Sequence, residues 1–413
     1  MLLNEIKKQR LEEVEKYYSE FACMDEQAII INEDLLPENV DDTDVRTNFR
    51  RDIDKVRYLK AYSRYRDKAQ VFWWVENDHI AKRALHVLDV SEIAGVIAHN
   101  LKLNEELARA GGTAHDLGHT PFGHAGERHL DKICREIDKG YFTHNAQGVR
   151  VLTKFEKFPI CLQVVDAVLS HNGATISPRF ETNPNKSIQT VLEETNNCFQ
   201  IEDYNRNIRA MTLEGVIVRV SDFIAYLGRD IEDAILIGML KREDLPQTAT
   251  RILGNNNSDI VNTVVSDVII NSYGKPYIKF SHDIYQALEE LKDFNNSQLY
   301  SKKRDKENLL EEPFRKMFQI YCQMLSDERN LIRRGLTGEY LEEEKGLLSF
   351  LIDSDDEYWE TTDVQRKVID YMAGQTDRYF MRECELNISG FNKKEIYAKE
   401  VFKKEDDELL SEI

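Results

Sequence analysis

The sequence predicts an all-α protein, and three observations support this fold class. Only 8 prolines and 19 glycines interrupt the 413 residues, charged residues make up 31% of the chain, and apolar residues recur at helical spacing over long stretches. This pattern disfavours β-sandwiches and β-barrels. The chain is also long enough to bury a large core around an enclosed site.

The helical pattern and its breaks divide the chain into four segments. Residues 1–45 are expected to form an N-terminal arm with an extended piece and a turn at Pro37, and residues 46–240 to form a helical core. Residues 241–390 are expected to form a helical C-terminal extension. The alternating charge blocks of residues 391–413 are typical of a solvated tail.

Within the core, two helices and two loops can be assigned from local patterns. Residues 86–101 carry one apolar stripe with steps of three and four residues, which predicts a helix packed on a core. A second helix is expected from Glu105, with Asn104 as its N-cap, and it must end near Pro121 because the residue before a proline disfavours helical geometry. Residues 172–187 and 195–207 are rich in Asn, Pro, Ser and Thr, which predicts surface loops.

Charge and cysteine content exclude several classes of function. The 55 basic and 74 acidic residues give a net charge of −19, which disfavours broad binding to nucleic-acid duplexes but allows a small anionic substrate next to a metal ion. The six cysteines form no CxxC pair, which argues against a zinc ribbon, a redox site or a disulfide framework. The chain has no long apolar run and becomes charged within its first residues, so we expect a soluble, cytoplasmic protein that does not enter membranes.

A cluster of histidines is the strongest sign of chemistry in the chain. Ten histidines are present, and most of them lie between positions 86 and 144. His115 and Asp116 are adjacent at the end of a predicted helix, and His119 and His124 follow within the glycine-containing string HDLGHTPFGHAGE. Imidazole and carboxylate donors without thiolates favour Mn²⁺, Fe²⁺, Co²⁺ or Zn²⁺, or Mg²⁺ where water fills most positions. The alternative is a set of histidines that only cap helices and form hydrogen bonds.

Two residues distant in sequence from His115 and Asp116 complete a candidate ligand set. His86 and Asp222 both lie among apolar residues at helical spacing. An ionised Asp222 in such surroundings is costly to bury unless it meets a cation, so a metal ion explains its position. The alternative is a buried ion pair with an arginine.

The order of His86, His115-Asp116 and Asp222 resembles that of the HD-domain metal phosphohydrolases. Longer strings are similar to the dGTPase-like deoxynucleoside triphosphate triphosphohydrolases, and together they span about residues 46–380. One departure is Thr120, which stands where that family usually has proline. The strings are FRRDIDKVRYLKAYSRYRDKAQVF, HDLGHTPFGHAGE, FTHNAQGVRVL, LSHNG, SDFIAYLGRDIEDA and DYMAGQTDRY.

The resemblance implies a fold, a reaction and a set of catalytic residues. The fold would be an HD-domain helical core with additional C-terminal helices that complete the active site. The reaction would be the metal-dependent hydrolysis of a dNTP, with dGTP a candidate for the preferred substrate, to a deoxynucleoside and inorganic triphosphate. The implied metal, Mn²⁺ before the other divalent ions, would be held by His86, His115, Asp116 and Asp222. The implied catalytic residues are His124 with Glu127 as a proton relay, and His119, which would support the metal ligands or contact the phosphates.

The resemblance also implies substrate contacts and partners. It places Gln70 and Val71 near the base, Arg83, His144 and Asn145 near the phosphates, and Tyr226 and Asp230 near the sugar. Tyr226 and Asp230 follow Asp222 at four-residue steps and so share its helical face, where a tyrosine ring could reject a ribose 2′-hydroxyl. The implied partners are a dNTP substrate, an effector dNTP or single-stranded DNA, and further copies of the chain in a hexamer or tetramer.

Two other functions stay open at this point. One is a different HD-domain phosphohydrolase acting on a nucleoside monophosphate, a cyclic nucleotide or an alarmone. The other is a nucleotide-sensing regulator with weak catalysis. The string GHTPFGHAGE and the spacing of Tyr226 and Asp230 argue against the first, and an intact set of ligands and relay residues argues against the second.

Overall fold

The computed structural model describes residues 2–36, 44–75, 77–172, 176–327, 331–332, 337–354 and 356–397. This part of the chain is mostly helical, which confirms the predicted all-α class. Its α-helices are α1 (Leu2–Glu15), α2 (Asn48–Tyr58), α3 (Lys60–Arg64), α4 (Arg83–Asn100), α5 (Glu105–Ala114), α6 (His124–Glu136), α7 (His144–Arg150), α8 (Leu162–Ser170), α9 (Ile188–Gln200), α10 (Leu213–Leu236), α11 (Gln247–Leu253), α12 (Asn257–Ser272), α13 (His282–Asn295), α14 (Ser301–Met324), α15 (Lys345–Ile352), α16 (Asp356–Thr361), α17 (Val364–Gly374) and α18 (Asp377–Asn387). None of these helices is long and apolar enough to cross a membrane.

The few strands in the described residues form two small antiparallel pairs. Strand β1 (Ile30–Ile31) pairs with β2 (Ile160–Cys161), and β3 (Arg179–Glu181) pairs with β4 (Tyr277–Lys279). Each pair ties distant parts of the chain together. The six cysteines are free thiols, and most of them are buried, as their scattered spacing predicts.

Helices α4, α5, α8 and α10 pack around one another and form the centre of the core. Both helices that the sequence predicted there are present, but α5 ends at Ala114, before the predicted end near Pro121. Helix α4 begins at Arg83, slightly before the predicted start, and the Asn104 side chain caps α5 by accepting a hydrogen bond from the Leu107 amide. A glycine is required at position 112, because a Cβ there would lie 2.8 Å from the Ser91 Cα. This close approach brings the histidines of α4 and α5 together.

The prediction of a loop over residues 195–207 is wrong in its first half. Residues up to Gln200 belong to α9, which the Ser187 hydroxyl caps by accepting from the Thr190 amide. Val191, Thr195 and Cys198 form the buried face of this helix, and its other polar residues lie on partly or fully exposed positions. The amide-rich composition therefore reflects a solvated helix face. The other predicted loop contains the short strand β3.

The N-terminal segment packs against the core through a buried carboxylate. Glu214 at the start of α10 is fully buried, and its Oε1 accepts hydrogen bonds of 3.0 Å from the backbone amides of Cys23 and Asn104. The predicted extended piece is present as β1. The predicted turn at Pro37 lies outside the described residues, as does most of the predicted tail, from residue 398 onward.

The C-terminal helices return to the core through two further buried carboxylates. Asp377, at the start of α18, accepts hydrogen bonds from the backbone amides of Ala69, at 3.0 Å, and Phe122, at 2.8 Å. Asp370 of α17 is buried between the guanidinium groups of Arg150 and Arg366. The boundaries proposed for the segments stay predictions, but these contacts join the C-terminal helices to the segments that carry the histidines.

Candidate metal centre

The four side chains predicted as metal ligands meet between α4, the end of α5 and α10. The His86 Nε2 atom lies 3.0 Å from Oδ1 of Asp222 and 3.4 Å from Nε2 of His115. The His115 Nε2 atom lies 3.3 Å from Oδ1 of Asp116. His86, His115 and Asp116 are buried, and the Asp222 side chain is 15% exposed.

The hydrogen bond on the far side of the His115 ring shows what this centre can bind. The His115 Nδ1 atom lies 2.8 Å from the carbonyl oxygen of Gly112, and a carbonyl oxygen can only accept, so Nδ1 carries the proton. Metal-bound histidines typically donate their second ring N–H in this way. The Nε2 lone pair of the neutral ring then points toward carboxylate oxygens, an arrangement that a cation stabilises. The donor set fits a divalent first-row ion.

The two carboxyl groups of the centre are held in their charged form. Burial by itself would raise the pKa of Asp116, but the Arg83 guanidinium and the neighbouring imidazoles hold it well below its usual range. Burial likewise opposes ionisation of Asp222, whose pKa the hydrogen bond from His86 lowers. The centre therefore holds two negatively charged carboxylates beside the imidazole rings of His86 and His115.

The turn between α5 and α6 places His119 beside helix α7. The turn passes through Phe122 and Gly123, both with positive φ, of 61° and 56°. Gly118 packs so closely on α7 that a Cβ would lie 2.0 Å from the carbonyl oxygen of His144. The rings of His119 and His144 therefore stack, with centroids 3.9 Å apart. Thr120, which departs from the family pattern, supports the turn by donating to the carbonyl oxygen of Gly123 at 2.8 Å.

The predicted pair of His124 and Glu127 is in contact, and Glu127 has a second partner. The His124 Nδ1 atom lies 2.7 Å from Oε2 of Glu127. The other carboxylate oxygen, Oε1, lies 2.8 Å from both the backbone nitrogen and Nδ1 of His144. Burial opposes ionisation, but the two histidines hold the pKa of Glu127 well below its usual range. One carboxylate therefore orients two imidazoles.

The predicted phosphate contacts lie close to the metal centre. Arg83 is almost fully buried, and its guanidinium donates to Asp116 and, at 3.3 Å, to the carbonyl oxygen of Ala69. Asn145 is also buried, with its amide nitrogen 3.2 Å from a ring nitrogen of His171 and its amide oxygen accepting from Asn205 at 3.3 Å. Arg83 and Asn145 thus have protein partners in addition to any ligand.

The residues predicted to contact the base lie in the segment before α4, and those predicted to contact the sugar lie on α10. Val71 is buried. The Oε1 atom of Gln70 is also buried and has no hydrogen-bond partner within the described residues, which is expected of an acceptor that binds a ligand. Tyr226 is partly buried on α10, and one carboxylate oxygen of Asp230 accepts a hydrogen bond of 2.6 Å from the Tyr300 hydroxyl.

Three side chains at the site were not assigned from the sequence. His171 follows α8 directly, with Nε2 3.9 Å from Oδ1 of Asp116. Lys68 is buried and donates to the carbonyl oxygens of His119 and Ala373. The third is the Tyr300 that contacts Asp230. For His171 the signal was present, since the string LSHNG contains it, but nothing in the residue spacing indicated a role.

The described residues also line a cavity of about 870 Å³. It lies between α3 and the C-terminal helices α15, α17 and α18, and it reaches Leu117 and Gly118. None of the predicted site residues lines it. The chemistry-bearing side chains are therefore grouped apart from this cavity.

The sequence of this chain is similar to a family model and to several known proteins. A family model described as HD domain matches residues 83–227. A protein of Caldanaerobacter subterraneus named deoxyguanosinetriphosphate triphosphohydrolase-like protein is 34% identical over 81% of this chain and 83% of its own length. Proteins with the same name from Clostridium perfringens and Rhodopseudomonas palustris are 31% and 28% identical, each over 82% of this chain and over 86% and 89% of their own lengths. The similarity thus extends far beyond the HD-domain match.

We expect Asp222→Ala to lose the ion of this centre. The substitution removes a carboxylate that pairs with His86, so metal content, measured by elemental analysis after gel filtration, should fall by at least one ion per chain. Circular dichroism should show the helical content of the wild type. The exposed acid Asp203 provides a matched control, because Asp203→Ala should keep its metal. Unchanged metal content in Asp222→Ala would remove this residue from the ligand set.

Proposed function

We propose that this chain, which belongs to the HD-domain family of deoxyguanosinetriphosphate triphosphohydrolase-like proteins, hydrolyses dNTPs to a deoxynucleoside and inorganic triphosphate. The observation that carries the proposal is the cluster of His86, His115 and Asp222, with Asp116 beside both histidines, next to a carboxylate-linked pair of histidines. The relatives' printed name supplies the substrate class, with dGTP as the first candidate.

The proposed reaction needs a divalent metal, and the four ligands define where it would sit. Mn²⁺ is our first choice, and Mg²⁺, Co²⁺, Fe²⁺ and Zn²⁺ also suit the donors. A bound ion supplies Lewis-acid polarisation of a phosphoryl oxygen and lowers the pKa of a water ligand. Arg83 keeps Asp116 charged for this purpose through their ion pair.

The proton transfer is assigned to His124. Its Nδ1 is held by Glu127, and its side chain is 55% exposed, so the ring is accessible to a bound ligand. In the proposed mechanism Nε2 exchanges a proton with the nucleophile or the leaving oxygen, and Glu127 orients the ring and stabilises its charged form. His119, stacked on the Glu127-bound His144, is proposed to contact the phosphates.

The nucleoside is proposed to lie along α10 and the segment that precedes α4. Gln70 offers its unpartnered Oε1 atom to a donor on the substrate, and Val71 offers an apolar surface for the base. Tyr226 and Asp230 are proposed to face the sugar. Arg83, His144 and Asn145 are proposed to act at the phosphates, directly or by holding the groups that contact them.

Assembly, regulation and location complete the proposal. We propose that the chain forms a homo-oligomer, a hexamer or tetramer, acts in the cytoplasm, and responds to an effector dNTP or to single-stranded DNA. The described helices, none of which could span a membrane, are compatible with this location. Sedimentation and activity assays with each effector are the direct measurements.

The decisive experiment offers the purified protein with Mn²⁺ each dNTP and each NTP in turn. We expect deoxynucleoside and inorganic triphosphate as the only products, separated by ion exchange, and no turnover by Asp222→Ala. Release of pyrophosphate or of a nucleoside monophosphate would assign a different phosphohydrolase activity. Absence of hydrolysis in metal-loaded protein would favour a nucleotide-sensing regulator.

We expect His124→Ala to lower kcat by roughly 10²-fold or more, since general acid–base groups contribute on that scale. Metal content and dNTP affinity should stay near the wild-type values, because His124 is not among the four proposed ligands. The exposed His282 provides the control, as His282→Ala should leave kcat unchanged. A His124→Ala protein that lacks metal would make His124 a ligand instead.

We expect Tyr226→Ala to raise the kcat/KM for an NTP relative to the matching dNTP, even where total activity falls. The ring lies one helical turn after Asp222, where it would occupy the space that a 2′-hydroxyl needs. Tyr226→Phe keeps the ring and should keep the selectivity. An unchanged ratio in a folded, metal-loaded Tyr226→Ala protein would contradict steric exclusion and direct attention to Gln70 and Asp230.

A further inference from the structure

The turn between α13 and α14 brings a tyrosine to the helix that carries Asp222. The hydroxyl of Tyr300, the last residue of this turn, donates a hydrogen bond of 2.6 Å to Oδ2 of Asp230 on α10. The two residues are 70 positions apart in the sequence, and Asp230 is only 2% exposed. The mechanism proposed above gives no task to Tyr300.

The backbone of this turn differs from that of an ordinary α-helix. Residues Asn296–Tyr300 form one π-helical turn, in which the Ser301 amide donates to the carbonyl oxygen of Asn296, five residues earlier. Single turns of this kind are rare and are frequently found at functional sites. The extra residue changes which side chains of the α13–α14 segment face α10, and Tyr300 is one that does.

The neighbouring Asn295 anchors the turn to α10. Asn295 is fully buried, and its Nδ2 atom donates a hydrogen bond of 3.1 Å to the carbonyl oxygen of Leu227. The same side chain forms a hydrogen bond with Tyr300. The hydroxyl of Tyr300 is therefore held between Asn295 and Asp230, and it holds the Asp230 carboxylate in turn.

The direction of the hydrogen bond between Tyr300 and Asp230 follows from the chemistry of the two groups. Burial and the charge of Asp230 raise the pKa of Tyr300 well above its usual value, so the phenol keeps its proton at neutral pH. A protonated phenol next to a carboxylate oxygen donates to it. Because Oδ2 of Asp230 accepts this hydrogen bond, the orientation of the whole carboxylate is fixed.

The position of Asp230 along α10 separates it from the metal centre. Asp230 follows Asp222 by eight residues, and a rise of 1.5 Å per residue puts them about 12 Å apart along the helix axis. Metal–carboxylate bonds are only about 2 Å long, so the two aspartates contact different parts of a ligand. A carboxylate binds hydrogen-bond donors, and the sugar of a dNTP carries a single hydroxyl, at its 3′ position.

We propose that Tyr300 is a positioning residue that orients the Asp230 carboxylate toward the 3′-hydroxyl of a bound dNTP and so makes turnover depend on that hydroxyl. The inference rests on the proposed function and adds to it a residue of the C-terminal helices. A hydrogen bond that only stabilised the fold would affect all substrates equally. A positioning hydrogen bond affects the substrate that carries the 3′-hydroxyl.

The test compares each dNTP with its 2′,3′-dideoxy analogue, the ddNTP, on the full-length protein loaded with Mn²⁺. We expect the wild type to have a kcat/KM roughly 10²-fold higher for the dNTP, because a site built to bind a substrate hydroxyl rejects analogues that lack it. Tyr300→Phe should lower this ratio by roughly 10-fold, the scale of one hydrogen bond to a charged group. The loss should fall on the dNTP, and the kcat/KM of the ddNTP should stay near the wild-type value.

The matched control is Tyr285→Phe. It removes a phenol–carboxylate hydrogen bond of 2.7 Å, to Glu289, at the exposed surface of α13, and it should keep the wild-type ratio. If Tyr300→Phe does not fold by circular dichroism, Asn295→Leu removes the side chain that holds Tyr300 and should lower the ratio in the same direction.

Two results would overturn the proposal. Equal kcat/KM values for dNTP and ddNTP in the wild type would show that the site does not recognise the 3′-hydroxyl. A Tyr300→Phe protein that loses the same factor on dNTP and ddNTP would make the hydrogen bond structural. A metal-loaded wild type without dNTP turnover would contradict the proposed function instead. The dissociation constants of dNTP and ddNTP, measured by calorimetry on the same proteins, would then supply the ratio that decides the role of Tyr300.

Discussion

The structure of the site depends on one buried charge, the carboxylate of Asp116. An uncompensated charge in this position would cost several kcal/mol, and removing a partner of a buried ion pair typically costs about 3–5 kcal/mol. Its compensation comes from several elements, since Arg83 pairs with it and ring nitrogens of four histidines lie within 4 Å. These histidines are His86, His115, His119 and His171. The segments that carry them are therefore held to one geometry around this carboxylate.

Two other buried charges, Asp377 and Lys68, join the C-terminal helices to the site. Asp377 accepts from the backbone amides of Ala69 and Phe122, so it fixes both the segment that leads to Arg83 and the turn that leads to His124. Lys68 binds the carbonyl oxygens of His119 and Ala373 and so joins the same two regions. A core without these helices would leave the turn and the arginine free to move relative to the metal ligands.

The sequence predicted the fold class, the start of α5 and the meeting of His86, His115, Asp116 and Asp222, because helical periodicity, a capping asparagine and isolated buried charges are local signals. It placed the end of α5 near Pro121, whereas the helix ends at Ala114. It misassigned residues 195–200, where many side-chain amides on a solvated helix face looked like a loop. It gave no role to His171 or Tyr300, since their significance lies in contacts with residues far along the chain. Such contacts have no periodicity that a single sequence can display.

The distribution of charge around the site indicates that a bound metal ion would also help to bind the proposed substrate. The protein carries a net charge of −19, and its buried cations next to the site are already engaged: Arg83 by Asp116, and Lys68 by two carbonyl oxygens. Little fixed positive charge then remains there for a triphosphate. A divalent cation would have to provide most of it, because burial and the Arg83 charge hold the pKa of His119 well below its usual range. In this chain the metal would therefore govern the affinity for an anionic nucleotide as well as the rate of its hydrolysis.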